Sequence, residues 1–347
     1  MASTYGENLH LSIYGTSHGP HIGMTLEGIP AGLAVDLTQL QAFLARRAPG
    51  QGPWSTSRKE ADIPEFRSGL IHGCTNGEPI TAWIYNQNVR PADYAELNHI
   101  PRPGHADYTA WKKYGMDFNM SGGGPFSGRL TAPMCIAGGM CKQWLETQDI
   151  HISAQILQVG SIHRNACDDF QTAMLSEIEN AKSRGDSVGG RIGCTVTGVP
   201  VGLGGPLFEG VEGHLASILY SIPAVKAVGF GAGEQFARLT GSQANDPFIL
   251  KDGRIQTATN HCGGILGGIT NGMPLVFDVT VKPTPSIAIS QKSVDLERME
   301  EVSIQVKGRH DPCILPRAVP VVEAAAAIAL YDLILGKQKE GMYYGSE

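Results

Sequence analysis

Residues 319–335 read VPVVEAAAAIALYDLIL, a run with apolar side chains on every side of a helix and a single glutamate and aspartate within it. A surface helix confines its apolar residues to one stripe, whereas a helix that is apolar all round has to be enclosed. The run therefore predicts a helix buried in a core or an interface. Residues 129–145, RLTAPMCIAGGMCKQWL, have the same character and predict a second central helix. Around them, residues 9–14, 21–26, 81–85, 152–162 and 191–197 read as strands. Residues 37–46 read as a helix with Asp36 as its cap, and residues 169–183 as an amphipathic surface helix. The strand runs do not alternate regularly with helices, which disfavours a doubly wound parallel sheet. No linker, charge block or low-complexity tract interrupts residues 1–347, so one α+β domain with buried central helices is expected.

Composition narrows the function classes. Hydrophobic residues make up 42% of the 347, and charged residues only 17%, against roughly 25% in an average soluble protein. So few charges suggest that surface is buried again by oligomerisation. A net charge of −6 argues against a nucleic-acid binder, which needs a basic face. The first residues carry no basic region followed by an apolar core, and runs such as residues 324–330 are too short to span a bilayer. Seven cysteines form no CxxC pair and leave one over, which fits reduced thiols in the cytoplasm and makes zinc a poor reading.

The 44 glycines come in knots, such as Gly122-Gly123-Gly124 and Gly267-Gly268, where backbone turns sharply or approaches a partner closely. Two histidines sit in glycine-flanked loops, His18 in Gly15-Thr16-Ser17-His18-Gly19 and His105 in Gly104-His105-Ala106-Asp107. Imidazole titrates near neutrality, so each is a candidate proton donor or acceptor as well as an ordinary loop residue. Arg46, Arg47, Arg58 and Lys59 form a cationic strip suited to an oxyanion clamp, or to a solvated helix end. Residues 121–129, SGGGPFSGR, are a glycine loop entering a helix, a potential anion cradle, and Arg129 at the helix start calls for an anionic partner. Residues 225–233 imitate a dinucleotide fingerprint but lack the third glycine, so a packing turn is the better reading. Three further runs stand out: residues 260–268 with their glycine pairs, Lys282-Pro283-Thr284-Pro285-Ser286, and Arg309-His310-Asp311. His310 and Asp311 lack a well-spaced third metal ligand, and an acid/base and anion site suits them better.

The order GxSHG, RRxPG, RPGHADYT, GGGxxSGR, DSVGG, NHxGGxxGG, KPTPS and GRHDPCxxPRAVPVVEA, from residue 5 to residue 335, resembles chorismate synthase. The resemblance implies a helical core sandwiched between antiparallel β-sheets, assembled as a homotetramer. It implies an enzyme that converts 5-enolpyruvylshikimate 3-phosphate to chorismate and phosphate at the end of the shikimate pathway to aromatic amino acids. That reaction is an anti-1,4-elimination requiring reduced FMN, which lends an electron to the substrate and recovers it. By the same resemblance His18 protonates the departing phosphate, His105 stabilises charge at the flavin and Asp311 assists proton transfer at flavin N5. Arg47, Arg58, Arg129 and Arg317 would clamp the substrate. Pro125, Phe126, Ser127, Gly267, Lys282, Pro283, Thr284, Pro285, Ser286 and Arg309 would lie at the cofactor. Some members also reduce FMN with NADPH, so NADP enters through the family alone. Where commoner members carry glutamate, arginine and arginine-serine, this chain has Thr16, Pro53 and Pro125-Phe126. The place of the glycine loop carries over, but the side-chain roles at Pro125 and Phe126 do not. The alternative is a relative that only binds flavin or an anionic metabolite.

Overall fold

The computed structural model describes residues 2–50, 52, 55, 60–87, 99–306 and 311–344, with side chains within residues 3–338. Its first part comprises β1 (Ala2–Tyr5), β2 (His10–Gly15), β3 (His21–Glu27), α1 (Leu37–Arg47), β4 (Glu65–Ser68), β5 (Leu70–Ile71), β6 (Cys74–Thr75), β7 (Ile80–Tyr85), α2 (Asp107–Tyr114) and α3 (Thr131–Glu146). Next come β8 (His151–Val159), β9 (Ile162–His163), α4 (Phe170–Ser183), β10 (Gly190–Thr197), α5 (Val211–Ser221), β11 (Val225–Phe230) and α6 (Gly241–Ala244). The last part holds β12 (Phe248–Lys251), β13 (Arg254–Thr257), β14 (Ile265–Leu266), β15 (Ile269–Thr270), β16 (Leu275–Val281), β17 (Gln291–Asp295), β18 (Glu300–Ile304) and α7 (Leu315–Tyr344).

Two antiparallel sheets, ordered β1-β2-β3-β7-β4 and β11-β16-β10-β8-β9, enclose the central helices. Helix α3 packs on α7 and touches β2, β3 and β7, while α7 rests on β8 and β10. In β16, Leu275, Phe277, Val279 and Val281 are buried and the residues between them are less so, the period-two pattern of a strand with one face on a core. The Asp36 cap forms as expected, its carboxylate accepting the Thr38 and Gln39 amides at 2.8 and 3.0 Å. The strand expected over residues 152–162 is instead a hairpin, because Gly160 (φ +53°) turns β8 back into β9.

The core is close-packed because α3 offers no side chains where its neighbours lie. A Cβ on Gly138 would sit 2.4 Å from Ala324 Cα of α7, and one on Gly139 would sit 2.5 Å from Leu40 Cδ1 of α1. Forcing extra volume into such a contact costs about 1–3 kcal/mol. Helix α7 outruns the apolar run that predicted it. Its stretch Leu315–Gln338 is long and apolar enough to cross a membrane, yet its most apolar window is 94% buried within the protein. It is a core helix here, and its two buried carboxylates, Glu323 and Asp332, are tied off. Asp332 accepts the backbone amides of Glu7, Asn8 and Leu9 at 3.0, 2.7 and 2.8 Å. Glu323 takes both Arg46 Nη atoms, at 2.8 and 2.9 Å, and the Ala154 amide at 3.1 Å. One helix thus pins α1 and both sheets, Glu323 through an ion pair with Arg46 and Asp332 through three backbone amides, so neither buried carboxylate lacks hydrogen-bond donors.

Candidate active site

Loops at the ends of these elements meet around one cavity of about 690 Å³. His18 arrives on the β2–β3 loop, where Gly15 (φ +100°) leaves the strand, and its Nδ1 lies 3.0 Å from Ser17 Oγ. The Ser17 hydroxyl is also 3.1 Å from the carbonyls of Ser121 and Gly122, which fastens this loop to the glycine loop. His105 arrives on the loop before α2, and its Nδ1 lies 2.9 Å from Asp107 Oδ1.

The glycine triplet is the bed for both rings. Gly122, Gly123 and Gly124 have φ of +60°, +92° and +52°, a region other residues enter only with strain. A Cβ on Gly122 would fall 2.0 Å from His18 Cε1, and one on Gly123 would fall 3.1 Å from His105 Nε2. The anion-cradle expectation needs correcting for Gly123, whose amide bonds the Met120 carbonyl at 2.8 Å. A separate 3-10 turn, Gly128–Leu130, stands between the loop and α3.

On the arginine side, the anionic partner expected for Arg129 belongs to the protein itself. Asp62 bridges Arg129 Nη1 and Arg47 Nη1, the latter at 2.6 Å, and Glu60 lies 3.1 Å from Arg129 Nε. Arg47 also donates through Nε to Thr131 Oγ1 at 3.2 Å and through Nη2 to the Gly128 carbonyl at 2.9 Å. All three of its nitrogens therefore serve the protein, and its side chain is 2% exposed. Arg47 frames the site more than it offers a clamp. Arg317 donates to the Arg47 carbonyl at 3.0 Å and to Asp311 at 2.5 Å. Burial works to raise the Asp62 carboxyl, but the Arg47 and Arg129 charges hold it below the usual value. Among the described residues, Arg129 Nη2 is buried with no hydrogen-bond partner.

Of the candidate residues, His18, His105, Asp311, Arg47, Arg129, Arg317, Pro125, Phe126, Ser127, Lys282, Thr284, Pro285 and Ser286 line this cavity. Pro283 lies inside the same run without lining it, and Gly267 occupies the β14–β15 turn away from the lining. Arg58, Arg309, His310 and Pro53 lie outside the described residues. The sequence reading missed Glu60, Tyr220 and the segment through Lys226, which also line the cavity. A signal existed for the latter, because Val211, Leu215, Ile218 and Leu219, all buried, repeat at helical spacing before it. The rejected fingerprint is indeed a packing turn: a Cβ on Gly231 would meet the His261 carbonyl at 1.9 Å, and β11 pairs antiparallel with β16.

Comparison with known proteins agrees with this architecture. The sequence profile of one family, described as chorismate synthase, matches residues 9–335. A protein of Lancefieldella parvula named chorismate synthase is 43% identical, with 100% of both chains covered. One of Thermococcus kodakarensis with the same name is 45% identical over 97% of this chain and 99% of the relative. A solved structure titled as a crystal structure of chorismate synthase superposes with a TM-score of 0.73 at 27% identity, covering 96% of this chain and 93% of that one.

Proposed function

The chain belongs to the chorismate synthase family, and from that premise we propose that it is a carbon–oxygen lyase that eliminates phosphate from 5-enolpyruvylshikimate 3-phosphate to give chorismate, with reduced FMN in the same cavity. The observation that carries the reading is the convergence of His18, His105, Asp311 and the arginine cluster on one cavity of about 690 Å³, within the range of small-molecule sites.

The residues present fit a phosphorylated flavin beside an anionic substrate. Lys282, Thr284 and Ser286 offer a cation and two hydroxyls on a proline-stiffened run, Phe126 offers an apolar face, and Arg129 Nη2 is a buried donor in want of an acceptor. Reduced FMN, when bound, would lend the electron that weakens the substrate's carbon–oxygen bond and regain it as the carbon–hydrogen bond breaks, so that no net redox change results. His18, held at Nδ1 by Ser17, donates a proton to the phosphate as that bond breaks. Asp311, kept in place by Arg317, takes part in accepting the proton lost from carbon. Arg129 and Arg317 hold the substrate's anionic groups, while Arg47 and Asp62 keep those arginines in place. The reading extends to a cytoplasmic homotetramer. Assembly is supported by the low charge together with exposed apolar side chains such as Phe208 (95%), Leu250 (76%) and Ile255 (74%), and the compartment by the seven free cysteines.

The decisive test is phosphate release from 5-enolpyruvylshikimate 3-phosphate under anaerobic conditions with pre-reduced FMN. Steady release is expected. Flavin binding without release would instead establish a relative that only binds.

A further inference from the structure

We propose that Asp107 is the positioning residue for His105, fixing the imidazole proton on Nδ1 so that Nε2 is the nitrogen presented to whatever the cavity binds. Its consequence for turnover rests on the function proposed above; the placement of the proton does not.

The geometry offers His105 Nδ1 two partners that demand opposite states. Asp107 Oδ1, 2.9 Å away, is an acceptor and requires a proton on Nδ1. Arg102 Nη2, 3.1 Å away, is a donor and requires a bare Nδ1. The carboxylate wins on three counts. It is the nearer. Arg102 Nη2 already donates to Asp107 Oδ1 at 2.8 Å. A bare Nδ1 would also set its lone pair against a carboxylate oxygen in a place where Asp107 is only 2% exposed, and such buried mismatches are costly. Asp107 stays ionised to play this part. Burial works to raise its carboxyl, but hydrogen bonds from Arg102 and His105 hold it far below the ordinary range.

Asp107 is itself held fast. Its Oδ2 accepts from the Arg102 amide at 3.0 Å and from Arg102 Nε at 2.7 Å, and Arg102 Nη1 reaches Ser286 Oγ at 3.3 Å. Carboxylate, guanidinium and the Lys282–Ser286 run thus form one bracket around the ring. On the opposite side the ring lies against Gly123, where a Cβ would be 3.1 Å from Nε2 and 3.3 Å from Cε1. The chemical result is specific. With Nδ1–H committed to Asp107, a neutral His105 offers only a lone pair at Nε2. It donates from Nε2 only as the imidazolium, whose charge then rests beside a carboxylate already in place. A role for Asp107 confined to favouring the start of α2 would make no such demand on the ring.

Ring-¹⁵N histidine NMR on the full chain decides the matter, with His105→Asn to assign the resonance. Wild-type His105 is expected to show a protonated Nδ1, and Asp107→Asn to lose that preference. A wild-type spectrum with Nδ1 bare and the proton on Nε2 overturns the proposal, and this reading stands even if the variant fails to fold. In steady-state assays, Asp107→Asn is expected to lower kcat by at least about 10–100-fold, the scale on which metal-bound histidines suffer when their orienting carboxylate is lost, with the substrate KM nearly unchanged and partial recovery in Asp107→Glu. An undiminished kcat in Asp107→Asn also overturns it. A wild type that does not turn over this substrate defeats the proposed function instead, and the spectrum alone then judges Asp107.

Discussion

Two cationic regions face the same cavity and are built in opposite ways. Arg47, Arg129 and Arg317, each no more than 9% exposed, are interleaved with Glu60, Asp62 and Asp311. Lys282 and Lys226 stand on the other side, at the ends of β16 and β11, and no ion pair is formed by either among the described residues. Lys282 donates to the Gly104 carbonyl, and Lys226 is exposed. A guanidinium taken out of water needs a countercharge, whereas a half-solvated ammonium can wait for one. The difference teaches a division of labour. The arginine side is a preset geometry whose charge is largely cancelled, and the lysine side keeps its charge in reserve, matched to no carboxylate among the described residues.

The largest expected effect breaks the preset side. Asp62→Asn removes the countercharge shared by Arg47 and Arg129, and breaking a buried pair costs about 3–5 kcal/mol. Chemical denaturation measures it, and a loss below about 1 kcal/mol would show that Asp62 does not hold the arginines. The sign with pH follows from the depressed Asp62 carboxyl. Its contribution is complete above the ordinary value of 3.8 and is lost as pH falls through the lower folded value.

A smaller effect tests the reserve side. Lys282→Ala is expected to weaken FMN binding about tenfold, equivalent to about 1.4 kcal/mol, while stability moves by no more than about 0.5 kcal/mol. Flavin titration beside a melting curve reads both, and a stability loss rivalling that of Asp62→Asn would erase the contrast. The smallest effect sharpens it. Partial burial, and then the Lys226 charge, push the Lys282 ammonium below the ordinary lysine value. FMN affinity should therefore decline with rising pH before an ordinary lysine would titrate, and Lys226→Gln should move that decline to higher pH. Superimposable pH curves for the two proteins would remove Lys226 from the site.

Much of this molecule could be read along the chain. The apolar runs around Val322 and Ile136 announced the two central helices, and Asp36 announced the start of α1. The glycine flanks of His18 and His105 marked loops that do line the cavity. Those signals are local, because helix period, caps and turns are set by residues a few positions apart. The strand over residues 152–162 was misjudged where a positive φ at Gly160, allowed to glycine alone at little cost, let the chain reverse.

The sequence by itself determined the buried helices, the α+β class and, through motifs in order, the family. Tertiary structure alone decided what the site residues do to one another. Asp62 lies 15 positions from Arg47 and 67 from Arg129, so no local pattern could say that one carboxylate would bind both. Likewise nothing adjacent to Gly122 and Gly123 in the chain reveals that His18 and His105 pack on them. An arginine in a sequence reads as a free charge. Whether it clamps a ligand or is spent inside the protein depends on which carboxylate folding carries to it, since burial forces every such charge to find a partner.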